Sequence, residues 1–61
     1  MESSELVRKF KRAGWIEIRQ TGSHKIFKDP KTGQIIPVPF HGAKEIGTGL
    51  AYKILKQAGL K

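Results

Sequence analysis

The spacing of apolar residues changes period twice along the chain. Leu6, Val7, Phe10 and Ala13 recur every three or four positions, with Arg8, Lys9, Lys11 and Arg12 between them. This spacing predicts an amphipathic helix over about Ser3 to Ala13, capped by Ser3 or Ser4. Glu5 sits in its first turn, where the helix dipole favours an anion, and Gly14 supplies a left-handed stop. From Trp15 to Gln20 the period shortens to two, which predicts a strand with Ile16 and Ile18 on one face. Thr21-Gly22 signals a turn, and His24 to Lys28 predicts a second strand. Asp29-Pro30-Lys31-Thr32-Gly33 predicts a loop, and a third strand follows over about Gln34 to Phe40. Pro37 and Pro39 lack amide donors on one side of that strand, so it is expected at a sheet edge. After the stretch Phe40 to Gly47 the helical period returns. Leu50, Ile54, Leu55 and Ala58 form a stripe, Thr48 is a plausible cap, and Gly59 and Leu60 close the helix.

These elements give an α+β fold in the order α-β-β-β-α, a three-stranded antiparallel meander with both helices on one face. Nothing marks a repeat or a second domain, so residues 1–61 read as one domain. Turn geometry yields an expected register. Arg19 faces His24, Ile18 faces Lys25, Ile16 faces Phe27, Phe27 faces Ile36 and Lys28 faces Ile35. Ile16, Ile18, Phe27, Ile36, Val38 and Phe40 then share the covered face. Arg19, His24, Ile26 and Lys28 share the open one. A slip of one residue would invert the assignment.

Charge narrows the partners. Twelve Lys and Arg against five Asp and Glu leave a net +7, which predicts attraction to nucleic acid, anionic lipid or an acidic protein. The chain has no cysteine, which excludes disulfides, thiolate metal sites and thiol catalysis. No apolar run reaches membrane-spanning length and no signal-peptide core follows the N-terminus, so a soluble, cytoplasmic protein is expected. The helical stripes face the core, which argues against a membrane-surface binder.

Candidate chemistry centres on His24. Imidazole is the side chain that exchanges protons near neutral pH, and the chain has two, His24 and His41. Two histidines seventeen residues apart with scattered carboxylates make no metal-ligand set, so no metal or cofactor is expected. Ser23 and His24 are adjacent on a strand and point to opposite faces, which leaves Ser23 a turn residue rather than a nucleophile. Gly22 supplies the positive φ of the turn. His24 remains, together with Arg19, Lys25, Lys28, His41 and Lys44. Lys25 and Lys28 read either as a solvated strand face or as phosphate contacts. Trp15 and Phe40 read as core rather than as base-stacking platforms. This inventory suits phosphodiester cleavage in RNA. The 2′-hydroxyl is an internal nucleophile, so the protein need supply only proton transfer and positive charge for the phosphate.

In order and spacing, several pieces resemble the HicA toxins of bacterial and archaeal HicAB toxin–antitoxin systems. They are Ser3-Ser4-Glu5-Leu6, Ala13-Gly14-Trp15, Gly22-Ser23-His24, Val38-Pro39-Phe40-His41, and Glu45-Ile46-Gly47-Thr48-Gly49-Leu50 leading into Ile54 to Leu60. The resemblance implies a double-stranded-RNA-binding-domain-like fold and a metal-independent mRNA interferase with His24 as its catalytic residue. It implies that Gly22 and Ser23 aim that residue, and that a HicB antitoxin binds and occludes it. The free toxin is then expected as a monomer and the inhibited form as a hetero-oligomer. A noncatalytic double-stranded-RNA binder of the same fold is the alternative, since fold alone does not determine function.

Overall fold

The first apolar stripe forms helix α1 (Ser3–Arg12) in the computed structural model, which describes residues 1–42 and 44–60. Ala43, in the loop expected before the second helix, and Lys61 lie outside the described residues. Strands β1 (Ile16–Thr21), β2 (His24–Lys28) and β3 (Ile35–Pro39) follow, then helix α2 (Thr48–Gln57). The sheet is an antiparallel meander in the order β1-β2-β3, so the fold is the expected α-β-β-β-α arrangement. Among the described residues, no helix is long and apolar enough to cross a membrane.

Both helices end alike, for the reason their glycines suggest. Gly14 N–H bonds to the Lys11 carbonyl and Trp15 N–H to the Phe10 carbonyl, each at 3.0 Å. After α2, Gly59 N–H bonds to Lys56 at 3.1 Å and Leu60 N–H to Leu55 at 2.7 Å. Gly14 at φ 95° and Gly59 at φ 75° permit this reversal, which folds the next apolar residue back onto the helix. Trp15 meets Phe10 edge to face at 5.1 Å. The helix starts differ from expectation. Glu2 and Gly47 occupy the cap positions, and neither helix has a side-chain cap bond. Ser3 and Ser4 instead lie within α1, where their N–H groups donate to the carbonyls of Lys44 and Gly42, each at 2.9 Å. The orphan donors of the first turn are thereby met by a distant loop.

The core lies between the helices and one face of the sheet. Leu6, Val7 and Phe10 of α1 and Ala51, Ile54 and Leu55 of α2 close over Phe27, Ile36 and Val38, with Trp15 and Ile46 at its rims. The Phe10 and Phe27 rings meet at a tilt, with centroids 5.4 Å apart. Leu50, expected in the α2 stripe, is 50% exposed. The stripe runs through Ala51, Ile54, Leu55 and Ala58, and Leu50 sits about 90° off its centre.

The β2–β3 register is as expected, with Phe27 opposite Ile36 and Lys28 opposite Ile35. The β1–β2 register is not. A two-residue turn pairs Thr21 with His24, Gln20 with Lys25 and Arg19 with Ile26. The ladder then shifts between Glu17 and Arg19, which leaves Ile18 as an extra residue before Glu17 pairs with Phe27 and Ile16 with Lys28. Such a bulge reverses the alternation beyond it. Ile16 and Ile18, expected in the core, are therefore 54% and 45% exposed, while Glu17 turns to the covered side. Phe40 N–H donates to the Ser23 carbonyl at 2.7 Å, extending the β2–β3 ladder by one bond. By alternation, Pro37 and Pro39 turn their nitrogens to the outer edge of β3, where no donor is missed.

Candidate active site

His24 opens β2 immediately after the tightest turn in the sheet. Gly22 has φ 58° and Ser23 does not have positive φ, the pattern of a type II′ hairpin turn with glycine at its first central position. An ideal Cβ on Gly22 would meet nothing within 4 Å, so the backbone angle and not crowding calls for glycine there. The turn places His24 opposite Thr21 on one side and Pro39 on the other. Because opposed residues share a face, His24, Thr21 and Pro39 lie on the open side of the sheet. His24 is exposed there.

The open face joins positive charge to apolar surface. Arg19 lies opposite Ile26, two residues along β2 from His24, rather than directly across from it as expected. Lys28 shares the face but sits at the far end of β2, roughly 13 Å away by strand rise. Ile16 and Ile35 flank it, each more than half exposed. The one carboxylate of the strands, Glu17, faces the helices, so nothing acidic on the open side of the strands repels an anion.

Lys25 belongs to other surroundings. Its side chain is only 15% exposed. It donates to Glu17 Oε2 at 3.0 Å and to Gln20 Oε1 at 3.3 Å, and its Nζ lies 4.5 Å from the centre of the Phe40 ring. Lys11 also approaches Glu17, at 3.8 Å. Strand alternation puts Lys25 on the covered side opposite Val38, away from His24, and the inward carboxylate at the bulge meets it there.

His41 and Lys44 approach the site from the loop after β3. His41 follows the His24–Pro39 pair by two residues, and its carbonyl accepts from Lys44 N–H at 3.2 Å. Ser3 fixes this segment. Its fully buried hydroxyl donates to the Pro39 carbonyl at 2.7 Å and accepts from His41 N–H at 2.9 Å. A serine at the start of a helix reads as a cap, so this tie has no mark in the sequence. Gly22, Ser23, His24, Pro39 and His41 are in this way gathered at one end of the sheet, with Lys44 in the same loop and Arg19 nearby.

Two comparisons bear on this arrangement. The family model for the HicA toxin of bacterial toxin–antitoxin systems matches residues 3–60. A protein of Pseudomonas fluorescens (strain Pf0-1) named "Probable mRNA interferase HicA" is 46% identical over 61 residues, covering 100% of this chain and 98% of that protein. The match takes in the first turn of α1, the hairpin turn and the loop after β3, the segments that build the site. On both comparisons, the chain belongs to the HicA toxin family of bacterial toxin–antitoxin systems.

Proposed function

We propose that this chain is a toxin that cleaves mRNA in the cytoplasm as a metal-independent endoribonuclease, with His24 as its catalytic residue and a HicB antitoxin as its inhibitor. The observation that carries the proposal is the placement of His24. It is an exposed imidazole, aimed by a turn that glycine makes possible, on a sheet face without strand carboxylates. The named activity of the Pseudomonas fluorescens relative supports the substrate class.

The chemistry follows from RNA itself. The 2′-hydroxyl attacks the adjacent phosphorus, its proton passes to His24, and the P–O5′ bond breaks as the departing 5′-oxygen takes up a proton. The products are a 2′,3′-cyclic phosphate and a 5′-hydroxyl. Arg19, Lys28 and Lys44 supply positive charge along the phosphate chain, and such contacts are indifferent to sequence. An open face suits an extended polymer. A hollow lined by Gly49, Tyr52, Lys53, Lys56 and Leu60 lies on the helical side, away from this chemistry.

Purified protein incubated with RNA in excess EDTA should cleave it and leave cyclic-phosphate ends, as end-labelling and mass analysis would show. Binding without cleavage would point to the noncatalytic double-stranded-RNA binder of the same fold. Cleavage that stops with EDTA and resumes with magnesium would refute the metal-independent mechanism.

A further inference from the structure

We propose that His41 is a second catalytic residue, the general acid that protonates the departing 5′-oxygen while His24 takes the proton of the 2′-hydroxyl. The inference rests on the reading of His24 as the nuclease base.

Transphosphorylation needs two proton transfers, one from the nucleophile and one to the leaving oxygen, and each is fastest through a group that titrates near neutral pH. The chain offers two imidazoles for this, His24 and His41. The other titratable groups around the site are otherwise engaged or ill suited. Glu17 faces the helices and binds Lys25. Glu45 pairs with the N-terminal amine, and Asp29 is held in its own loop by bonds from Lys31 N–H and the Thr32 hydroxyl. Arg19 and Lys44 serve as positive charge, and Glu2, beside Ser3, is bonded by Ser4.

The backbone around His41 is fixed although its side chain is exposed. Its N–H is held by the buried Ser3 hydroxyl, its carbonyl by Lys44 N–H, and the next carbonyl, of Gly42, by Ser4 N–H. Holding a reactive side chain on a fixed backbone is what precise geometry requires. The register sets the reach. His24 pairs with Pro39, and His41 is two residues further, so their Cα atoms are at most about 13 Å apart. That separation is short enough for two imidazoles to reach one phosphodiester between them. Phe40 packs on the covered side against Lys25 and the core, so alternation sends His41 towards the side of His24. The balance is complete. His24 gains the 2′-hydroxyl proton, His41 loses one to the 5′-oxygen, and solvent restores both.

The test compares ordinary RNA with a substrate whose scissile 5′-oxygen is replaced by sulfur, a leaving group that departs without protonation. His41→Ala should slow cleavage of ordinary RNA by about 10²–10⁴-fold. On the sulfur substrate it should stay within about tenfold of the unsubstituted protein, whereas His24→Ala should be slow on both. Equal loss on both substrates would make His41 a phosphate contact and overturn the proposal. So would a His41→Ala protein that cleaves ordinary RNA at full rate. Full-rate cleavage by His24→Ala would overturn the nuclease reading itself, a distinguishable failure. Since His41 is exposed, an unchanged thermal midpoint confirms that the variant is folded.

Discussion

At Ser3, a hydroxyl with no exposed surface joins the first turn of α1 to the strand end that faces His24. Ser3→Ala would leave the Pro39 carbonyl and the His41 N–H without a partner at a buried position. The expected cost is about 1–3 kcal/mol, read as a lower denaturation midpoint. Ser4→Ala is the control. Among the described residues its hydroxyl reaches only Glu2, at 3.5 Å, so its effect should stay within about 0.5 kcal/mol. A Ser3→Ala protein as stable as the unsubstituted one would contradict this role. At this scale the sequence is legible where a residue's role is local. His24 beside a Gly-Ser turn, and Gly14 and Gly59 after apolar stripes, state their roles in neighbouring letters. Ser3 does not, because its partners lie 36 and 38 residues away. Lys25 shows its covered-side direction by alternation but not its partner, because the bulge that turns Glu17 inward is unmarked.

Elements repeat the lesson one level up. The Asp29–Gly33 loop set the β2–β3 register, since Asp29 accepts from Lys31 N–H and the Gly33 N–H bonds back to the Asp29 carbonyl, a turn chemistry written in its residue types. The β1–β2 register escaped on two counts: the turn is closed by Thr21 and His24 rather than by Arg19 and His24, and Glu17-Ile18-Arg19 carries no letter that marks a bulge. Strict alternation was the natural reading, and one extra residue reversed it. The hairpin turn itself gives a prediction. Gly22→Ala must hold φ near 58° with a Cβ, which costs about 1–3 kcal/mol if the turn is kept. If the turn gives way, His24 moves. In the first case only the denaturation midpoint should fall; in the second, RNA cleavage should fall more than RNA binding, as paired kinetic and affinity measurements would show. Gly47→Ala, at φ −52° and with open space around it, should change little. Equal behaviour of the two variants would mean that the turn does not aim His24.

On the scale of the whole molecule, a net +7 and an open sheet face bear on how the proposed activity would be controlled. The bulge exposes Ile16 and Ile18, and Ile16 lies across Lys28 from exposed Ile35 on the side of the sheet opposite the helices. Exposed apolar residues grouped on one face mark a protein interaction surface, and the positive charge favours an acidic partner. An antitoxin seated there would cover His24 with the same contacts that bury the isoleucines, so RNA and antitoxin should compete. The purified complex should bind RNA far more weakly than the free toxin in a direct titration. Undiminished RNA binding by an inactive complex would place the antitoxin on the helical side.

Whether His24 carries out the chemistry on this face is decided by a single substitution. His24 is exposed, so His24→Ala should fold as the natural chain does and keep RNA affinity within a few-fold. Its rate of RNA cleavage, measured on the purified protein beside its binding, should drop by about 10²–10⁴-fold. A folded His24→Ala protein that cleaves RNA at the original rate would contradict this role for His24.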